Sequence, residues 1–167
     1  MENQTKNVQQ TVLEPSTSDI DSMIRNHVYS SITVGLIPLP LVDFVGVAAV
    51  QMNLVRKLGK AYGIPFSQDS VKNVLSSLIG GTIPATAGLP LSSAVKTVPL
   101  VGQSLGALSM PIVAGASTYA IGKVFYRHFA SGGTFLTFNP EKAKDYYNKM
   151  FNEGQKVATD IKNDKKK

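Results

Sequence analysis

The chain has no cysteine, which excludes disulfides, thiol nucleophiles and cysteine-ligated metals. Charge is scarce as well. Asp, Glu, Lys and Arg make up 17% of the 167 residues, against about a quarter in ordinary soluble domains. The scarcity is local. Between Lys72 and Lys123 the only ionisable side chain besides Tyr119 is Lys96, and between Arg25 and Arg56 there are only His27, Tyr29 and Asp43. Soluble helices carry charge along an exposed face, so this middle region lacks ordinary solvated faces. The start, Met1-Glu2-Asn3-Gln4-Thr5-Lys6, is polar with no apolar core behind it, and no cleaved secretion signal is expected.

What is present is a chain long enough for one domain with a real core. It is 43% apolar with a net charge of +6. The excess includes a basic end, Lys162-Asn163-Asp164-Lys165-Lys166-Lys167, which suits either simple solvation or an anionic lipid surface. Nucleic acid is not expected as a partner.

Apolar periodicity predicts an all-α fold. Residues 1–16 read as a disordered tail. Ser18 can cap a first helix carrying Ile20, Met23, Ile24, Val28 and Ile32, which breaks at Ile37-Pro38-Leu39-Pro40. A second helix runs from about Leu41, apolar nearly all round through Val50, and stops at Gly63 with Pro65 beyond. Ser67 opens a third, with Val71, Val74, Leu75 and Leu78. Gly80-Gly81, Pro84, Gly88 and Pro90 predict broken helix up to Val98. After Pro99 a long helix covers about Gly102–Phe129, and Pro111 kinks or restarts it. Thr134–Phe138 is a short extended piece that pairs or links, and Asn139-Pro140-Glu141 starts a final amphipathic helix. Gly35–Val42 and Val95–Gly102 echo each other, and each leads into a helix that ends in a basic, aromatic turn followed by glycine. The architecture expected is two proline-tipped apolar helical hairpins packed together (residues 17–135), an amphipathic helix (139–162) and a basic tail (163–167).

Gly102-Gln103-Ser104-Leu105-Gly106 has the spacing of a hydrolase nucleophile elbow. An elbow needs a strand before it, and an acid and then a histidine after it. Val98–Val101 is short and proline-marked, and no Asp or Glu lies between Ser104 and His128. Catalysis is therefore not expected. Gly102 and Gly106 instead form a GxxxG pair, with the small residues Ala114, Gly115, Ala116, Ser117 and Thr118 continuing the theme, suited to close helix packing or self-association. Residues 97–122 carry no formal charge, enough for the roughly 20 residues that cross a bilayer. His27 and His128 lack carboxylate neighbours at ligand spacing and read as packed or interfacial. Asp43 reads as a first-turn charge favouring the helix dipole, or as a functional intramembrane carboxylate. Gly80-Gly81-Thr82 lacks the Lys-Ser/Thr of a P-loop. No cofactor or metal is expected.

Gly35-Leu36-Ile37-Pro38-Leu39-Pro40-Leu41-Val42-Asp43, Leu58-Gly59-Lys60-Ala61-Tyr62-Gly63, Leu78-Ile79-Gly80-Gly81, Thr118-Tyr119-Ala120-Ile121-Gly122 and Arg127-His128-Phe129-Ala130-Ser131-Gly132-Gly133 occur in this order. Over about residues 20–135 they resemble the YcjF-like domain of unknown function, family 697. The resemblance implies a helical, membrane-associated bacterial domain, often fused to or encoded near Era-like GTPases, with no catalytic residues to carry over. These 167 residues contain no GTPase domain, so such a partner would act in trans.

The expected function is a non-enzymatic membrane-associated adaptor, at the inner membrane of a bacterium. The alternative is a soluble helical bundle mediating protein–protein interaction. Pro38, Pro40, Asp43, Pro99, Gly102, Gly106, Pro111 and Gly115 are the expected membrane and helix-packing positions. Arg56, Lys57, Lys60, Lys123 and Arg127 are the expected surface cations, on the cytoplasmic side with both termini. Residues 26–55 suit a re-entrant hairpin, residues 73–122 two spans, and the last helix a place on the membrane surface.

Overall fold

Helix punctuation in the sequence reappears as geometry in a computed structural model, which describes residues 15–36, 42–80 and 110–164, with side chains given for all of these but 42–44 and 79–80. Five helices account for nearly all of them: α1 (Thr17–Val34), α2 (Val42–Ala61), α3 (Gln68–Gly80), α4 (Met110–Ala130) and α5 (Pro140–Asp164). The fold is all-α. Pro38, Pro40, Pro99, Gly102, Ser104 and Gly106 lie outside the described residues, and with them the tips of both expected hairpins.

The caps show why the helices end where they do. α2 and α4 finish in the same Schellman turn. In α2, Ile64 N donates to Gly59 O (2.8 Å) and Gly63 N to Lys60 O (3.1 Å). In α4, Gly133 N donates to His128 O and Gly132 N to Phe129 O (both 2.9 Å). Each turn needs one left-handed residue, supplied by Gly63 (φ +67°) and Gly132 (φ +81°). The echo between the two hairpins thus extends to their C-terminal stops. At the start of α5, Asn139 Oδ1 accepts from Lys142 N (3.1 Å), with Pro140 as the first helical residue. The cap of α1 lies two residues earlier than expected: Ser16, not Ser18, holds the N-cap position. Thr134–Phe138 is a turn rather than an extended piece, closed by Thr137 N to Thr134 O (3.2 Å).

α4 is the centre of the bundle. It packs on α5, α1 and α2. Twelve of its 21 residues are buried, on all sides of the helix. A helix apolar nearly all round is stable only where something covers it, and here the chain's own helices do so except along the Tyr119, Lys123 and Arg127 face. From Met110 onward this replaces the reading of residues 97–122 as a span: no helix among the described residues is long and apolar enough to cross a membrane, while residues 97–109 lie outside them. The fate of α5 is a second correction. Its apolar face, Tyr147, Met150, Ala158 and Ile161, is buried in the bundle, so that face is not available to lie on a lipid surface.

Small residues set how closely the helices approach. A Cβ on Gly115 would stand 2.8 Å from Ile32 Cγ1 and 2.9 Å from Ala158 Cβ, and one on Gly154 would stand 2.8 Å from Ala116 O. Gly122 meets Ile24 in the same way. The small-residue faces of α4 and α5 are therefore occupied inside the bundle.

These contacts fix direction. Ile24 against Gly122, Ile32 against Gly115 and Gly35 against Pro111 run α1 and α4 antiparallel. Ala158 against Gly115 and Arg127 over Tyr146 do the same for α4 and α5. The bundle thus has a Pro111 end and a Gly132 end. The described chain begins at the Gly132 end and finishes, at Asp164, at the Pro111 end. In sequence the C-terminal lysines come directly after Asp164.

Candidate functional site

Three features stand out against this core: an uncovered apolar end, a buried polar seam and a cationic groove.

At the Pro111 end, the first half of α2 is Val45-Gly46-Val47-Ala48-Ala49-Val50, entirely apolar, yet none of it is fully buried. Val45 is 71% exposed, Leu36 is 55% and Met110 is 48%. Gly46 against Val34, and Gly35 against Pro111, gather these residues at one end. Leu36 and Val42, which flank Ile37-Pro38-Leu39-Pro40-Leu41 in the sequence, lie toward this end, as does Met110, which follows residues 81–109, whose only formal charge is Lys96. Asp43 falls in the first turn of α2, the position expected from the dipole argument, though its side chain is not among those described. Pro111 sits in the first turn of α4. The Gly132 end is different. It carries Arg56, Lys57, Lys60 and Arg127 near the helix ends, with exposed Leu136 at the crest of the 134–137 turn and Phe66 under the Arg56 guanidinium at 5.8 Å.

The polar seam crosses four helices at mid-height. Ser31 Oγ and Thr118 Oγ1 share a hydrogen bond of 2.7 Å, and both residues are fully buried. Gln51 Nε2 donates to Ser117 Oγ at 3.1 Å and reaches Thr118 Oγ1 at 3.4 Å. Ser117 Oγ lies 3.0 Å from the Tyr147 hydroxyl, and burial pushes that phenol's pKa up. Every member has a partner, so the seam sets one register of α1, α2, α4 and α5 at little desolvation penalty. The sequence reading took Ser117 and Thr118 only as small residues. The signal for the seam was Gln51, one polar side chain in an apolar helix.

His27 is buried between α1 and α2. Its Nδ1 lies 2.7 Å from Met23 O and so must be the donor. Nε2 then accepts from Asn53 Nδ2 at 3.2 Å. This is a satisfied neutral imidazole. Burial lowers its pKa below 6.5, the Met23 carbonyl opposes that, and the Lys57 charge adds to it. A histidine depressed on folding supports the fold above its unfolded pKa and withdraws that support as pH falls through the folded value. The thermal midpoint is therefore expected to drop between about pH 7.5 and about pH 5, with a shallower drop in His27→Gln, read by circular dichroism melts. His128 is packed rather than ligating: Nε2 donates to Thr134 O (2.8 Å) and the ring stands edge-on to Phe138. Among the described residues no group of three His, Asp or Glu could hold a metal ion.

The third feature is a groove of about 540 Å³ between α4 and α5. Lys123, expected as a free surface cation, is partly buried there. It donates to Asp21 Oδ1 at 2.6 Å and lies 5.6 Å from the Tyr119 ring centre. Burial works against its charge, but the Asp21 hydrogen bond and nearby Tyr119 outweigh it, so its pKa is raised. The Arg127 guanidinium stacks on Tyr146 at 4.5 Å.

A family model described as "Domain of unknown function (DUF697)" matches residues 2–156. The chain belongs to the DUF697 family. The match takes in all of α1 to α4 and α5 as far as Lys156. A curated relative, "Magnetosome membrane protein 22" of Magnetospirillum gryphiswaldense, is 36% identical over 143 residues, 85% of this chain and 73% of the relative. No solved structure matches this DUF697 chain.

Proposed function

We propose that the protein is a non-enzymatic, membrane-associated helical module that meets the bilayer with its Pro111 end. The observation that carries this is the exposed apolar first half of α2, together with Leu36 and Met110 at the same end. Contiguous exposed apolar surface marks a place that something else covers. In sequence, the charge-poor residues 81–109 directly precede Met110 and the C-terminal lysines directly follow Asp164, a composition suited to an anionic leaflet. The relative's printed name, a magnetosome membrane protein, supports the membrane side of the reading. A bacterial inner membrane and an Era-like GTPase partner in trans are the location and partner that the family likeness favours. With no helix of the described residues able to span, attachment by these bundle residues is docking of an apolar end rather than a crossing helix.

The test is flotation with vesicles of mixed neutral and anionic lipid. The wild-type chain is expected to float, and a Leu36→Glu/Val45→Glu/Met110→Glu variant to stay largely in the bottom fraction with an unchanged melting profile. A variant that floats as the wild type does would move the docking surface elsewhere. A wild-type chain that never floats would favour the soluble interaction bundle.

A further inference from the structure

The groove between α4 and α5 is rich in hydrogen-bond donors and poor in acceptors. From α4 it presents Tyr119, Lys123, Tyr126 and Arg127, and from α5 Tyr146 and Glu153. The α4 residues fall at i, i+4, i+7 and i+8, so they share one helix face. Among the described residues Arg127 has no carboxylate within ion-pair distance, and its only described contact of that kind is the Tyr146 ring. That contact lies over the Tyr146 ring and involves no acceptor oxygen, so the guanidinium N–H groups remain for an oxyanion, which they can take two-pronged. Lys123 uses one of its three donors on Asp21. It stands one turn from Arg127 on the same helix face, and both cations line the groove. The hydroxyls of Tyr119, Tyr126 and Tyr146 make no described hydrogen bond to the protein, and their rings offer an apolar wall. Glu153 lines the groove from α5; burial raises the Tyr119 pKa, the Lys123 charge opposes that, and the charges of Glu153 and Asp21 add to it.

The geometry points to a binding site for a soluble phosphate monoester, its phosphate held by Arg127 and Lys123 and its organic body laid against the tyrosines. A phosphate is favoured over a single carboxylate because it offers three terminal oxygens to a site whose free donors come from several directions. The volume is within the range of small-molecule sites. A membrane lipid headgroup is the other carrier of the same chemistry. Arg127 lies 17 residues along α4 from Met110, about 25 Å at 1.5 Å per residue, so a bundle seated on its Pro111 end holds this groove away from the headgroups. The site does not depend on that seating.

The experiment uses phenyl phosphate as the probe. The chain has six tyrosines and no tryptophan, so tyrosine emission reads the groove directly, with NMR shifts of the full chain as a second readout. Saturable binding is expected, weakened at least tenfold by Arg127→Gln and by Tyr146→Leu, less by Arg127→Lys, and strengthened by Glu153→Gln. Equal melting midpoints show that the exposed Arg127→Gln change leaves the fold intact. Absence of saturable binding by the wild type, or unchanged binding by Arg127→Gln, overturns the site. In a parallel arm with vesicles containing phosphatidic acid, Arg127→Gln is expected to float as the wild type does. Loss of flotation there assigns the phosphate to a lipid and overturns the soluble ligand.

Discussion

Phe125→Ala is expected to lower the unfolding free energy by about 3–5 kcal/mol, the range for emptying a large aromatic site in a well-packed core. Phe125 is fully buried in α4. It stacks on Phe138 at 4.9 Å with an interplanar angle of 13°, and lies 5.5 Å from Phe129 and 6.2 Å from Phe135. Phe135 and Phe138 belong to the turn between α4 and α5, so this one ring ties the turn to the bundle. Phe129 and Phe135 also meet edge-to-face at 5.2 Å, and such pairs add to simple area burial. The cluster cannot collapse easily onto an alanine, because its other rings are held by α2 through Tyr62 and by the Gly132 stop. For a domain of this size the loss corresponds to a fall in midpoint on the order of 10 °C, measured by thermal or urea denaturation. A change under 1 kcal/mol would mean that the aromatic cluster is not packed as described.

Thr118→Val is expected to cost about 1–3 kcal/mol, the penalty for leaving a buried hydroxyl without its partner. The replacement keeps the shape of the side chain and removes only Oγ1, which serves both Ser31 and Gln51. Ser31 is fully buried and can turn only to a carbonyl of its own helix. The informative result is the pair. Ser31→Ala combined with Thr118→Val removes both hydroxyls, leaves Gln51 its bond to Ser117, and is expected to cost no more than Thr118→Val alone. A double-mutant cycle reads this non-additivity directly. Additive losses would show that the seam is not a connected network.

Residues whose effects are local were legible in the sequence. Gly63 and Gly132 end helices because a left-handed residue is needed there, and Asn139-Pro140 begins one because the cap is carried by adjacent residues. The α1, α3 and α5 core faces were readable from periodicity for the same reason. Two things were not. The low charge of residues 97–122 looked like a lipid-facing run, since composition does not distinguish burial by lipid from burial by one's own helices; for residues 110–122 the surroundings of α4 decide that. The apolar run of α2 looked alike but is left partly uncovered at Val45–Val50. Of the candidate site, Arg127 and Lys123 were visible as cations. Their tyrosine partners on α4 and α5 were not, because Tyr146 reaches Arg127 only once α5 folds back along α4.

The membrane-facing end is tested most directly by depth. The chain has no native cysteine, so Val45→Cys and Leu136→Cys can each carry a single environment-sensitive fluorophore, one at either end of the bundle. With vesicles containing brominated lipid, the label at position 45 is expected to shift to the blue and be quenched, while the label at 136 keeps its aqueous emission. Quenching at 136 with none at 45 would contradict the account, because the bundle would then be seated the other way up.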